Sequence, residues 1–110
     1  MTGDATPATS AEDDAMPAYI LVDCEVTDPA RYEEYKTLAK PAVERYGGRY
    51  LVRGGALTVL EGDWRPHRIV VLEFPDGAAI RRFYASPEYA AARAKRAGAA
   101  RMSMVAVEGA

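Results

Sequence analysis

The chain has 110 residues, which suits one domain and leaves no room for a second. Its hydrophobic fraction of 49% and charged fraction of 27% are those of an ordinary globular protein, and a net charge of −2 is no footprint for nucleic acid or an anionic membrane. Cys24 is the only cysteine, which excludes an intrachain disulfide, and no apolar run approaches the roughly 18 residues of a membrane span.

Residues 1–15 hold no large apolar side chain after Met1 and carry Asp4, Glu12, Asp13 and Asp14 without a Lys or Arg. Such a stretch cannot bury enough surface to offset its ordering entropy, so it is expected to be a disordered leader. It also lacks the basic and apolar regions of a secretion signal, and with a lone cysteine the expected setting is the cytoplasm. The folded domain is expected over residues 16–110.

From Ala18 the pattern is regular. Residues 18–26 alternate as a strand, with Ile20, Val22, Cys24 and Val26 on one face and Tyr19, Leu21, Asp23 and Glu25 on the other. Asp28-Pro29 marks a helix start, Tyr32, Tyr35, Leu38, Ala39, Ala42, Val43 and Tyr46 form its stripe, Pro41 should kink it, and Gly47-Gly48 should end it. Residues 49–53 and 57–61 read as one strand bent or bulged at Gly54-Gly55. A turn over 62–66 leads to a strand over 67–74. Asp76 caps a second helix, and Ser86-Pro87 restarts it towards Ala100. Residues 102–108 close as a strand.

The order β-α-β-β-α-β is that of a ferredoxin-like α+β fold, a four-stranded antiparallel sheet with its helices on one face. The other face should be polar if it meets water, yet Ile20-Leu21-Val22 and Ile69-Val70-Val71-Leu72 are apolar on both sides of the pleat. A second copy, packed sheet against sheet, is the economical cover, so a homodimer is expected.

Residues 16–108 resemble the domain-of-unknown-function 1330 family of the dimeric α+β-barrel superfamily. The resemblance rests on Pro17-Ala-Tyr19, Thr27-Asp-Pro29, Tyr35, Gly47–Gly55, Leu60–Trp64, Arg68, Glu73-Phe-Pro75 and Phe83–Tyr89. Phe83 stands where the family commonly has Trp. What the resemblance implies is a fold and a dimer. It brings no reaction, since superfamily relatives range from monooxygenases to isomerases and lactone-processing enzymes.

Several side chains are candidates for chemistry. Asp23 and Glu73 lie on outward strand faces, and alternation puts Arg49, Leu51 and Arg53 together. If these faces line the space between two sheets, Asp23, Glu73 and Arg53 would meet, and a carboxylate of raised pKa could move protons while the guanidinium holds an anionic oxygen. The same trio also reads as a buried ion pair that orders a dimer. His67, the only histidine, is the acid–base candidate by pKa, or an exposed turn residue. Tyr19, Tyr35, Trp64, Tyr84, Ser86 and Tyr89 are candidate ligand contacts, with helix capping and core packing as the plainer reading of the last three. No cluster of histidines specifies a metal, no Gly-rich phosphate loop is present, and no cofactor is called for. Two functions from different classes follow: a binding protein for a small, partly apolar organic molecule, and a cofactor-free proton-transfer enzyme acting on a metabolite such as a polyketide. A structural or regulatory dimer without a pocket is the third.

Overall fold

The computed structural model describes residues 16–110, so the expected leader lies outside the described residues. The elements are β1 (Ala18–Val26), α1 (Pro29–Arg45), β2 (Arg49–Arg53), β3 (Ile69–Phe74), α2 (Gly77–Ala85), α3 (Pro87–Arg96) and β4 (Ala100–Glu108). The four strands form one antiparallel sheet in the order β2-β3-β1-β4. This is the ferredoxin-like α+β arrangement, with the second helix divided in two.

Local chemistry sets the helix limits. The Asp28 carboxylate accepts from the Arg31 N–H, and Asp76 accepts from the Ala79 N–H at 2.7 Å. Ser86 ends α2 and starts α3: its Oγ donates to the Phe83 carbonyl at 2.7 Å and accepts from the Tyr89 N–H at 3.1 Å. Helix α1 runs through Pro41 as one element, so the proline does not end it. Pro41 is exposed, so its ring displaces no core side chain. After α1 the chain passes directly beneath a ring, since a Cβ on Gly48 would lie 2.6 Å from Phe74.

The core sits between the helices and the inward face of the sheet. Ile20, Val22 and Cys24 of β1 and Val70, Leu72 and Phe74 of β3 meet Tyr32, Tyr35, Ala39 and Val43 of α1. Phe83 is its aromatic centre, with ring centroids 4.4 Å from Tyr89, 5.1 Å from Phe74 and 6.5 Å from Tyr46. The inward alternation read from the sequence of β1 matches the burial of Ala18, Ile20, Val22 and Cys24.

The hairpin between β2 and β3 departs from expectation. Residues 57–61 are not a strand, and β3 starts at Ile69. Gly54, at φ +75°, donates to the Ile69 carbonyl at 2.9 Å and turns the backbone out of the ladder, so residues 54–68 form an arm that rejoins the sheet only where the Arg68 carbonyl accepts the Cys24 N–H at 2.9 Å. The bulge lies earlier than Gly54-Gly55. Arg49 pairs with Glu73 and Tyr50 with Leu72, but Val52 pairs with Val71 and Arg53 with Val70, which leaves Leu51 as the inserted residue. One extra residue reverses the alternation beyond it. Arg53 therefore shares the inward face with Tyr50 and Val70, not the outward face with Arg49.

Phe83→Ala should destabilise the protein by about 3–5 kcal/mol, because a buried ring at the centre of the core leaves a cavity the helices cannot close. Urea unfolding at unchanged m-value checks this.

Candidate functional site

Each face of the sheet carries a candidate site. On the outward face, Glu73 accepts from Arg49 Nε at 2.7 Å and from the Tyr19 hydroxyl at 3.2 Å. The Arg49 hydrogen bond, aided by Tyr19, holds the Glu73 carboxyl below its usual range. Asp23 accepts the His67 N–H at 2.9 Å and the Trp64 Nε1–H at 3.3 Å. These hydrogen bonds, led by that of the His67 N–H, lower its pKa as well. The His67 imidazole lies 3.8 Å from both Asp23 and Glu25, and Glu25 pairs with Arg101 at 2.8 Å.

The expected trio does not assemble. Across the β1–β3 ladder Tyr19 faces Glu73, while Asp23 faces Ile69, four positions along the strand or about 13 Å away. Arg53 is on the opposite face of the sheet because of the bulge. Neither carboxylate has the raised pKa expected of a proton donor, since each is hydrogen-bonded in its ionised form. Asp23 instead ties down the return of the arm, together with Trp64 and His67.

Beneath the arm lies an open cavity of about 700 Å³, walled by Leu21, Leu57, Val59, Trp64, Ile69 and Val105, with Asp23 at its lining. Its walls are apolar and exposed: Leu60 on the arm is 92% exposed and Val105 on β4 is 61% exposed.

On the inward face a cavity of about 30 Å³ lies between sheet and helices. Tyr32, Tyr35, Tyr50 and Tyr89 line it, and Lys36, Arg53 and Arg68 border both this cavity and an open groove that also touches Glu33, Glu34 and Thr37. The Tyr35 and Tyr89 hydroxyls are 2.8 Å apart. Burial pushes all four phenols up, so each is a neutral hydroxyl at neutral pH. Cys24, buried nearby in the core, is likewise held as a thiol by burial.

Of the candidate ligand contacts, Tyr35 and Tyr89 meet in this inward cavity. Tyr19 and Trp64 are on the outward side. Ser86 spends its hydroxyl on the two helix ends, and Tyr84 stacks under the Arg93 guanidinium at 4.6 Å. Sequence reading overlooked Tyr32, Tyr50 and Arg68 at the inward cavity. Arg68 carried a usable signal, as a charge at the core-facing alternation of Val70, Leu72 and Phe74.

Residues 17–110 match the family model "Domain of unknown function (DUF1330)". The chain belongs to the DUF1330 family. The fold is similar to that of RPA0582, a protein of unknown function from Rhodopseudomonas palustris, at 22% identity and TM-score 0.70 over 97% of this chain and 95% of that one. It is also similar to a dimeric ferredoxin-like protein of unknown function from Thermobifida fusca, at 23% identity and TM-score 0.58 over 87% and 92%. A third likeness is to SnoaB, a cofactor-independent oxygenase from Streptomyces nogalater, at 18% identity and TM-score 0.58 over 87% and 95%. At these identities the likeness is one of fold. No curated protein matches the chain.

Arg49→Gln should raise the Glu73 pKa towards that of a free carboxylate, and Tyr19→Phe should raise it less, both read by NMR titration. Because the folded pKa is depressed, this interaction stabilises the protein above the ordinary carboxylate range, and its contribution is lost as pH falls through the folded value.

Proposed function

We propose that this DUF1330 protein is a cytoplasmic homodimer that binds a small, partly apolar organic molecule between sheet and helices. The observation that carries the reading is the ring of four tyrosines around the inward cavity of an otherwise apolar core, opening to a groove bordered by Arg53 and Arg68. Phenols that stay neutral can orient oxygen atoms of a ligand without the cost of burying a charge. The closed cavity has room for little more than one or two waters, so the ligand lies mainly in the groove with its apolar end against the tyrosines.

The dimer follows from the outward face. Leu21, Val52, Val105 and Val107 are exposed there beside Leu57, Val59 and Leu60 of the arm, and the chain's own helices lie on the other side. A second sheet would cover this surface, and the Thermobifida fusca neighbour is described as dimeric. Light scattering at micromolar concentration should give a dimer. Val105→Asp should give a folded monomer, and a wild-type monomer would overturn the assembly.

A fragment screen by 15N NMR should find ligands whose shifts centre on Tyr32, Tyr35, Tyr50 and Tyr89. Hits confined to the outward cavity would defeat the inward-site reading. The second reading, a cofactor-free proton-transfer enzyme, is favoured by His67 standing between Asp23 and Glu25 at the edge of the apolar outward cavity. There it could act as an isomerase, a cyclase or a lactone-type hydrolase. Under it, His67→Gln abolishes turnover of a metabolite substrate while leaving the dimer intact.

A further inference from the structure

We propose that Arg53 and Arg68 together recognise the carboxylate of a small organic acid, whose apolar end reaches the tyrosine cavity. This rests on the inward-site reading above and names the ligand's class.

The bulge at Leu51 brings the two guanidiniums to one face. Arg53 pairs with Val70 on the inward face, and Arg68 lies just before β3, two positions from Val70. Both side chains border the closed cavity and the open groove. Each is shaped by a ring: the Arg53 guanidinium lies 4.3 Å from the centre of Tyr50, and that of Arg68 lies 5.9 Å from the centre of Tyr32. Gly54 leaves room for the Arg68 guanidinium, which a Cβ at that position would strike.

Charge bookkeeping in the groove leaves these two cations uncommitted. Glu33 is held by Lys36 at 2.8 Å and Glu34 by Lys95 at 3.5 Å. Among the described residues, neither Arg53 nor Arg68 has a carboxylate within ion-pair distance, whereas Arg45, Arg49 and Arg101 each have one. Two forks of donors, stacked on aromatic faces and facing a cavity, fit a planar carboxylate. An apolar group attached to that carboxylate then lies in the groove against the tyrosines at the cavity's mouth.

The test uses the full chain, 15N-labelled, with acetate, isobutyrate and phenylacetate, each set against its neutral amide, and with inorganic phosphate. The acids should bind with shifts at Arg53, Arg68 and the four tyrosines, tighter as the apolar group grows, and each amide should bind at least about tenfold more weakly. Arg53→Gln and Arg68→Gln should each remove that preference while leaving thermal unfolding near wild type, and Arg68→Lys should restore it only in part, because a point charge replaces a fork. Acid and amide binding equally at the tyrosines would overturn carboxylate recognition while the inward-site reading stands. Phosphate binding as tightly as phenylacetate would overturn it too. Absence of shifts at the tyrosines with all three acids and all three amides would overturn both.

Discussion

Side chains on a strand point alternately to the two faces of a sheet, and among the described residues only one face receives helices. Everything on the inward face, from Ile20 and Val22 to Leu72 and Phe74, is closed by α1, α2 and α3 around Phe83. The outward face keeps Leu21, Val105 and Val107 exposed beside polar pairs such as Glu73 with Arg49 and Glu25 with Arg101. The two surfaces therefore have different physical requirements, one for packing within the chain and one for a covering layer.

The single inserted residue at Leu51 decides what the inward face can do chemically. Before it, Arg49 looks outward and satisfies Glu73. After it, Arg53 looks inward, beside Arg68 and above the tyrosines. Without that insertion, Arg53 would have joined Arg49 on the outward face, and the inward groove would have kept Arg68 without it. A bulge at a sheet edge that re-aims a side chain is a recurrent device, and here it separates the cation from the carboxylates that alternation would have given it.

The carboxylates on the outward face serve order rather than proton transfer in their present arrangement. Asp23 accepts from the backbone of His67 and the indole of Trp64, and so fastens the end of the arm. Glu73 is satisfied by a guanidinium and a phenol. Both are stabilised as anions, which makes each a poor acid at neutral pH and a good anchor.

Much of the fold was legible in the sequence because the signals are local. Period-two alternation marked β1, Asp-Pro and Ser-Pro pairs marked the helix starts, and apolar residues on both sides of the pleat marked a face that needs covering. The resemblance to the DUF1330 family pointed to the same fold, and the family model matches residues 17–110. The site was less legible. Tyr35 and Tyr89 could be named, but their meeting across α1 and α3, with hydroxyls 2.8 Å apart, depends on how the helices cross the sheet. The facing of Arg53 depended on strand register, which is settled by pairing with β3 and not by the spacing of residues within β2. Sequence alone thus determined the elements, their order and the two-sided hydrophobicity, since each arises from neighbours in the chain. Tertiary structure alone decided which charges meet, because a one-residue slip in pairing moves a side chain from one face of the sheet to the other.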